Sequence, residues 1–78
     1  MLFLIEYDRS GGQLVSLQKF DEANRRVAEE TRLELELRLN RTAEGHEVVL
    51  LEASTEDDLR QTHRRYFETL TQLSRPKN

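Results

Sequence analysis

Residues His46–Ala53 read His-Glu-Val-Val-Leu-Leu-Glu-Ala. Val48 to Leu51 form a short apolar run, partly β-branched, with breakers on both sides: Asn40–Gly45 before it and Ser54–Thr55 after it. A run without a polar face predicts a strand that is covered on both sides. We take it as the main strand of a small sheet and read outward from it.

Upstream, Leu2–Tyr7 alternates in the manner of a strand, with Phe3, Ile5 and Tyr7 on one face and Leu2 and Leu4 on the other. Asp8-Arg-Ser-Gly-Gly12 is a turn, since glycine accepts positive φ without steric cost. Gln13–Phe20 is the returning strand. The glycine pair lacks the spacing and the lysine of a phosphate-binding loop.

Asp21 is placed to cap a helix that continues to about Asn40. On a 100° wheel Phe20, Ala23, Val27, Ala28, Thr31, Leu35 and Leu39 share a stripe. Glu22–Arg26, Arg25–Glu29 and Glu34–Arg38 are opposite charges at i,i+4 spacing. Leu33 and Leu37 lie nearly opposite the stripe and form an apolar patch of their own. Two readings of Arg32–Leu39 compete. Its strict alternation, RLELELRL, suits a strand with Asn40–Gly45 as a hairpin loop, whereas its Leu, Glu and Arg are strong helix formers of poor β preference. The second reading is a helix with two apolar faces.

Downstream, Ser54 or Thr55 caps a last helix. Glu56, Asp57 and Asp58 load the positive end of its dipole, and Leu59, Thr62, His63, Tyr66, Leu70 and Leu73 form its stripe. Residues 1–73 are then one domain and 74–78 a frayed tail. The order is ββαβα. A right-handed crossover places the third strand parallel to the first, in a mixed three-stranded sheet of order 2-1-3 with both helices on one face. This is an α+β fold, an α/β two-layer sandwich.

The segments LFLIEYDRSGGQLVSLQKF, EVVLLEAS and LRQTHRRYF together resemble short bacterial proteins of unknown function, in which a YDR-turn hairpin opens the chain and a T-H-x-R-Y-F helix closes it. The resemblance implies no activity and no functional residues. It favours the helical reading of Arg32–Leu39.

Composition bounds the function. A chain of 78 residues buries only about 60% of its unfolded surface and often gains stability by association. It has no cysteine, hence no disulfide or thiolate metal site, which fits a cytoplasmic setting. Early acidic residues in MLFLIEYD and the lack of a basic n-region argue against a signal peptide, and nothing approaches a membrane span. Charges of both signs, with a net of −3, give no general electrostatic case for nucleic acid.

Three constellations carry side chains capable of chemistry. His63 stands beside Tyr66 and Phe67, but no nucleophile or carboxylate is placed next to it by sequence, so packing is the plainer account. Glu44, His46 and Glu47 are neighbours, yet residues 46 and 47 point to opposite sides of a strand, and no HExxH spacing occurs; no metal or cofactor is expected. Arg60, Arg64 and Arg65 interleave with aromatics, the pattern of a nucleic-acid-binding accessory module, but acidic residues surround them and a solvated helix face explains them as well.

The functional expectation is a small non-enzymatic interaction domain without catalytic residues, a homodimer or the docking partner of another protein. With both helices on one face, the other face would expose Leu2 and Leu4 or else Phe3 and Ile5. One of the pairs Val48–Leu50 and Val49–Leu51 would join them. The interface candidates are Leu33 and Leu37 on the helix, and Val49 and Leu51 on the strand edge.

Overall fold

The structure, a computed structural model, describes residues 1–42 and 45–67. Strand β1 is Leu2–Asp8, β2 is Gln13–Phe20 and β3 is His46–Glu52. Helix α1 spans Arg25–Thr42 and α2 spans Glu56–Thr62. One-turn 3-10 segments cover Glu22–Asn24 and Arg64–Tyr66. The α+β class, the ββαβα order and the sheet order β2-β1-β3 are as the periodicities predict. Residues 32–39 are helical, within α1. Leu70, Leu73 and the tail lie outside the described residues.

The direction of β3 differs from the expectation. β3 runs antiparallel to β1, with Leu2 opposite Glu52 and Asp8 opposite His46, so the sheet is antiparallel throughout β1's two pairings rather than mixed. The cause is the reach of α1. β2 ends beside Leu2. Eighteen helical residues advance about 27 Å, enough to carry the chain along the whole sheet to the Asp8 end. β3 must start there and run back. The parallel pair joined by a crossover helix is β2 and β3, with β1 inserted between them, not β1 and β3.

The helices also lie on opposite faces, not one. Leu2, Leu4 and Glu6 alternate toward α1, whose Ala28 and Leu35 are buried. Phe3, Ile5 and Tyr7 alternate toward the second layer, where they form one cluster with Leu59 of α2 and Tyr66 of the following turn. The result is three layers, helix–sheet–helix. Because each helix covers one face, all of Leu2–Tyr7 is buried. The strand sheathed on both sides is therefore β1, while the β3 residues His46–Leu51 are half-buried. No face of β1 stays open, so the expected bare sheet face does not exist. Val49 and Leu51 pack against the Phe3–Leu59 cluster rather than forming a surface patch.

Local chemistry explains the joints. The Asp8 carboxylate accepts from the N–H groups of Ser10 and Gly11, at 3.0 and 3.1 Å, and Gly12 takes φ 65° to reverse the chain. The β1–β2 register slips between Glu6 and Tyr7, leaving Val15 unpaired and half exposed as a bulge. The Thr55 hydroxyl accepts from Asp58 N–H at 3.1 Å, the expected cap. Asp21, by contrast, makes no side-chain cap, and a 3-10 turn precedes α1. Ala28 and Leu35 keep to the expected buried stripe, whereas Val27 is half exposed at its flank. α2 is shorter than the stripe predicts: His63, at φ −126° and ψ 51°, ends it.

Gly45 enters β3 at φ 84°, and its carbonyl accepts from Arg9 N–H at 2.9 Å. An added Cβ would meet Ser10 Oγ at 2.9 Å. Gly45→Ala is expected to cost about 1 kcal/mol or slightly more in chemical denaturation, from the left-handed backbone and that contact. A variant as stable as the parent would show that the turn relaxes freely.

Candidate interaction surface

β3 is an edge strand, and its ladder with β1 fixes which backbone groups remain available. Ala53 N–H donates to Met1 O at 3.0 Å and Arg9 N–H donates to Gly45 O at 2.9 Å. These two bonds mark the hydrogen-bonded positions of an antiparallel ladder, so the odd-numbered residues of β3 turn their N–H and C=O groups toward β1. His46, Val48, Leu50 and Glu52 turn theirs outward. Among the described residues no strand pairs with that outer edge. The opposite edge, β2, is interrupted by the Val15 bulge and carries Gln18 and Lys19, features that discourage strand addition.

α1 lies over β1 and β3. Between them is a cleft of about 290 Å³ lined by Leu2, Leu50 and Glu52 from the strands and Arg25, Glu29 and Arg32 from the helix. Arg25 bridges Glu52 at 3.0 Å and Glu22 at 2.8 Å. Arg32 reaches Glu36 at 3.3 Å. The helix flank over the β3 edge is therefore a charged row, Arg25, Glu29, Arg32 and Glu36. Above it, on the outer side of the helix, Leu33 and Leu37 are 53% and 55% exposed, the position their wheel angle predicts.

Two polar clusters that sequence reasoning missed brace the start of β3, one on each face of the sheet. On the α1 face, the His46 ring nitrogen Nδ1 lies 2.7 Å from Glu6 Oε2, a hydrogen-bonding distance. Glu6 is almost fully buried. In the sequence it looks like an interruption of an apolar strand; only the antiparallel register places it diagonal to His46. On the other face, Tyr66 donates its hydroxyl proton to Glu47 Oε2 at 2.6 Å. Arg65 donates to both Glu47 oxygens, at 3.1 and 2.9 Å, and to the Tyr66 hydroxyl at 2.7 Å. Tyr7 meets Tyr66 edge to face at 5.3 Å, and the Arg65 guanidinium covers the Tyr66 ring at 4.2 Å. The Tyr66 hydroxyl, with Arg65 behind it, holds the Glu47 carboxyl below its ordinary range, against the opposing effect of burial. Burial, and then the Glu47 carboxylate, push the Tyr66 phenol upward.

The expected basic group is dispersed. Arg60 pairs with Glu56 through two N–H groups, at 3.1 and 2.8 Å, and stacks over Phe67 at 4.5 Å. Arg65 belongs to the Glu47 cluster, and Arg64 has an interaction of its own. The aromatics face the core or lie beneath arginines, so they offer bases no open stacking platform. The half-buried His63 ring tilts against Tyr66 at 6.4 Å. Among the described residues no three His, Cys, Asp or Glu side chains converge as metal ligands, and no helix is long and apolar enough to cross a membrane. Comparison with protein-family models, curated proteins and solved structures returns no match.

Proposed function

We propose that this chain is a small, non-enzymatic interaction domain of the cytoplasm that pairs with a second copy of itself across the β3 edge and the adjoining side of α1. The observation that carries the reading is the outer edge of β3: a strand bearing Val-Val-Leu-Leu with outward backbone donors and acceptors, beside a helix that exposes Leu33 and Leu37. Such an edge is a template for another strand unless it is blunted; β2 has its bulge and Lys19, and among the described residues no strand pairs with the outer edge of β3. A domain of this size gains from the added burial. The titratable clusters support a structural role, since Glu6 with His46, and Glu47 with Tyr66 and Arg65, satisfy one another.

Sedimentation equilibrium at micromolar concentration tests the reading. The expected result is twice the monomer mass, with a melting temperature that rises with concentration. A clean monomer with a concentration-independent melting temperature overturns it. Val49 is no place for the disrupting change, because its half-buried side chain packs against the Phe3–Leu59 cluster. Val48→Pro removes an outward donor while leaving the ladder with β1 intact, and is expected to weaken the dimer. Leu33→Glu with Leu37→Glu measures what the helix patch adds.

A further inference from the structure

The charged row on α1 specifies how two copies meet. We infer that the dimer is an isologous, continuous six-stranded sheet, joined antiparallel through β3 about a two-fold axis at Val49, with the two α1 helices side by side and antiparallel. This rests on the self-association proposed above and adds its geometry.

Three features are compatible with this axis. The first is backbone. With the axis at Val49, Val48 faces Leu50 of the second copy and His46 faces its Glu52. All four residues turn N–H and C=O outward, so each facing pair is able to exchange two hydrogen bonds. Side chains agree, with apolar beside apolar and the imidazole beside a carboxylate.

The second feature is charge. Arg25, Glu29, Arg32 and Glu36 recur at i, i+4, i+7 and i+11, which is one face of a helix, and alternate in sign. An antiparallel helix pair whose two-fold lies between residues 30 and 31 sets Glu29 against Arg32 of the second copy and Arg25 against its Glu36. All four charges on each helix then face an opposite charge. A row of four charges that alternates in sign is complementary to its own antiparallel copy.

The third is position. Arg25 is bonded to Glu52, which ties the helix to the strand. From Arg25 the centre of the charged row lies about 8 Å along α1, at 1.5 Å per residue. From Glu52, Val49 lies about 10 Å along β3. The helix axis point and the strand axis point therefore fall at nearly the same level. Spacing agrees as well. With strands about 4.8 Å apart and α1 over β1 and β3, the two helices stand about 10 Å apart, an ordinary helix-packing distance.

The test is a charge-reversal pair, read by sedimentation equilibrium with circular dichroism as the check on folding. Glu29→Arg alone sets like charges together at both symmetric contacts, and so does Arg32→Glu alone. Each is expected to raise the dimer dissociation constant by about tenfold or more. An equimolar mixture of the two variants restores opposite charges and is expected to give a heterodimer near wild-type affinity. The doubly reversed chain, Glu29→Arg with Arg32→Glu, is expected to dimerise like wild type, and it serves if either single variant does not fold. A wild-type dimer whose affinity neither reversal changes overturns this geometry and leaves self-association standing. Reversals that weaken the dimer without rescue by mixing or by the double reversal also overturn it. A wild-type monomer overturns both proposals.

Discussion

Leu59→Ala is expected to destabilise the domain by about 2–5 kcal/mol, the range for truncating a fully buried leucine. Leu59 is inaccessible to solvent and is the buried residue of α2. It packs against Phe3, Ile5 and Tyr7, so its loss leaves a cavity beneath a helix of only two turns. That helix is too short to hold itself by backbone bonding and depends on this contact. Leu35→Ala in α1 removes a comparable side chain from the other face. Guanidinium titrations of the two single variants and the double variant form a thermodynamic cycle. Because β1 separates the two sites, their costs are expected to add within about 0.5 kcal/mol. A coupling well above that, of 1 kcal/mol or more, would place both leucines in one core and contradict the three-layer arrangement. A cost near zero for Leu59→Ala would detach α2 from the sheet altogether.

The same layering shows which parts of the fold the sequence makes legible. Period-two alternation in Leu2–Tyr7, the Asp8–Gly12 turn, the Ala28–Leu35 stripe and the Thr55 cap each follow from neighbouring residues, and each stands where its chemistry predicts, whereas the alternation of Val15 with Leu17 is broken by the bulge that turns Val15 out and sets Leu14 with Leu17 against the core. The relations between elements are decided elsewhere. LFLIEY and VVLL both read as doubly covered strands, and only pairing makes the first central and the second an edge. The direction of β3 follows from the length of α1 against the length of the sheet, a constraint that handedness rules for adjacent strands do not contain. The face that α2 covers is not encoded in its own stripe, because Leu59 and Tyr66 would pack equally well on either side of a sheet. Glu6, His46, Glu47 and Tyr66 become partners only once the antiparallel register is known. Arg25, Glu29, Arg32 and Glu36 lie in plain view as alternating charges, but the cleft that Arg25, Glu29 and Arg32 share with Leu2, Leu50 and Glu52 is visible only in three dimensions.

Tyr66 ties the second layer to that edge, and its loss is the other large effect. Tyr66→Ala is expected to cost about 3–5 kcal/mol, since it deletes a buried ring, the edge-to-face contact with Tyr7 and the hydroxyl between Glu47 and Arg65. Tyr66→Phe keeps the ring and isolates the hydroxyl. Its expected cost is smaller, about 1–2 kcal/mol, because Arg65 still holds the Glu47 carboxylate. The pH dependence separates the two contributions. The folded state lowers the Glu47 pKa, so this carboxylate stabilises the fold above the ordinary glutamate range and loses that contribution as acid titrates it. The folded state raises the Tyr66 pKa, so its contribution is complete below the ordinary tyrosine value near 10 and fades as the pH climbs past it. Denaturation across pH should therefore show stability falling at both ends. In Tyr66→Phe the alkaline fall should flatten, for want of the phenol, and the acid fall should become shallower, because the largest influence lowering the Glu47 pKa is gone. An unchanged alkaline limb would assign that titration to another group. An unchanged acid limb would mean that Arg65 alone sets the state of Glu47.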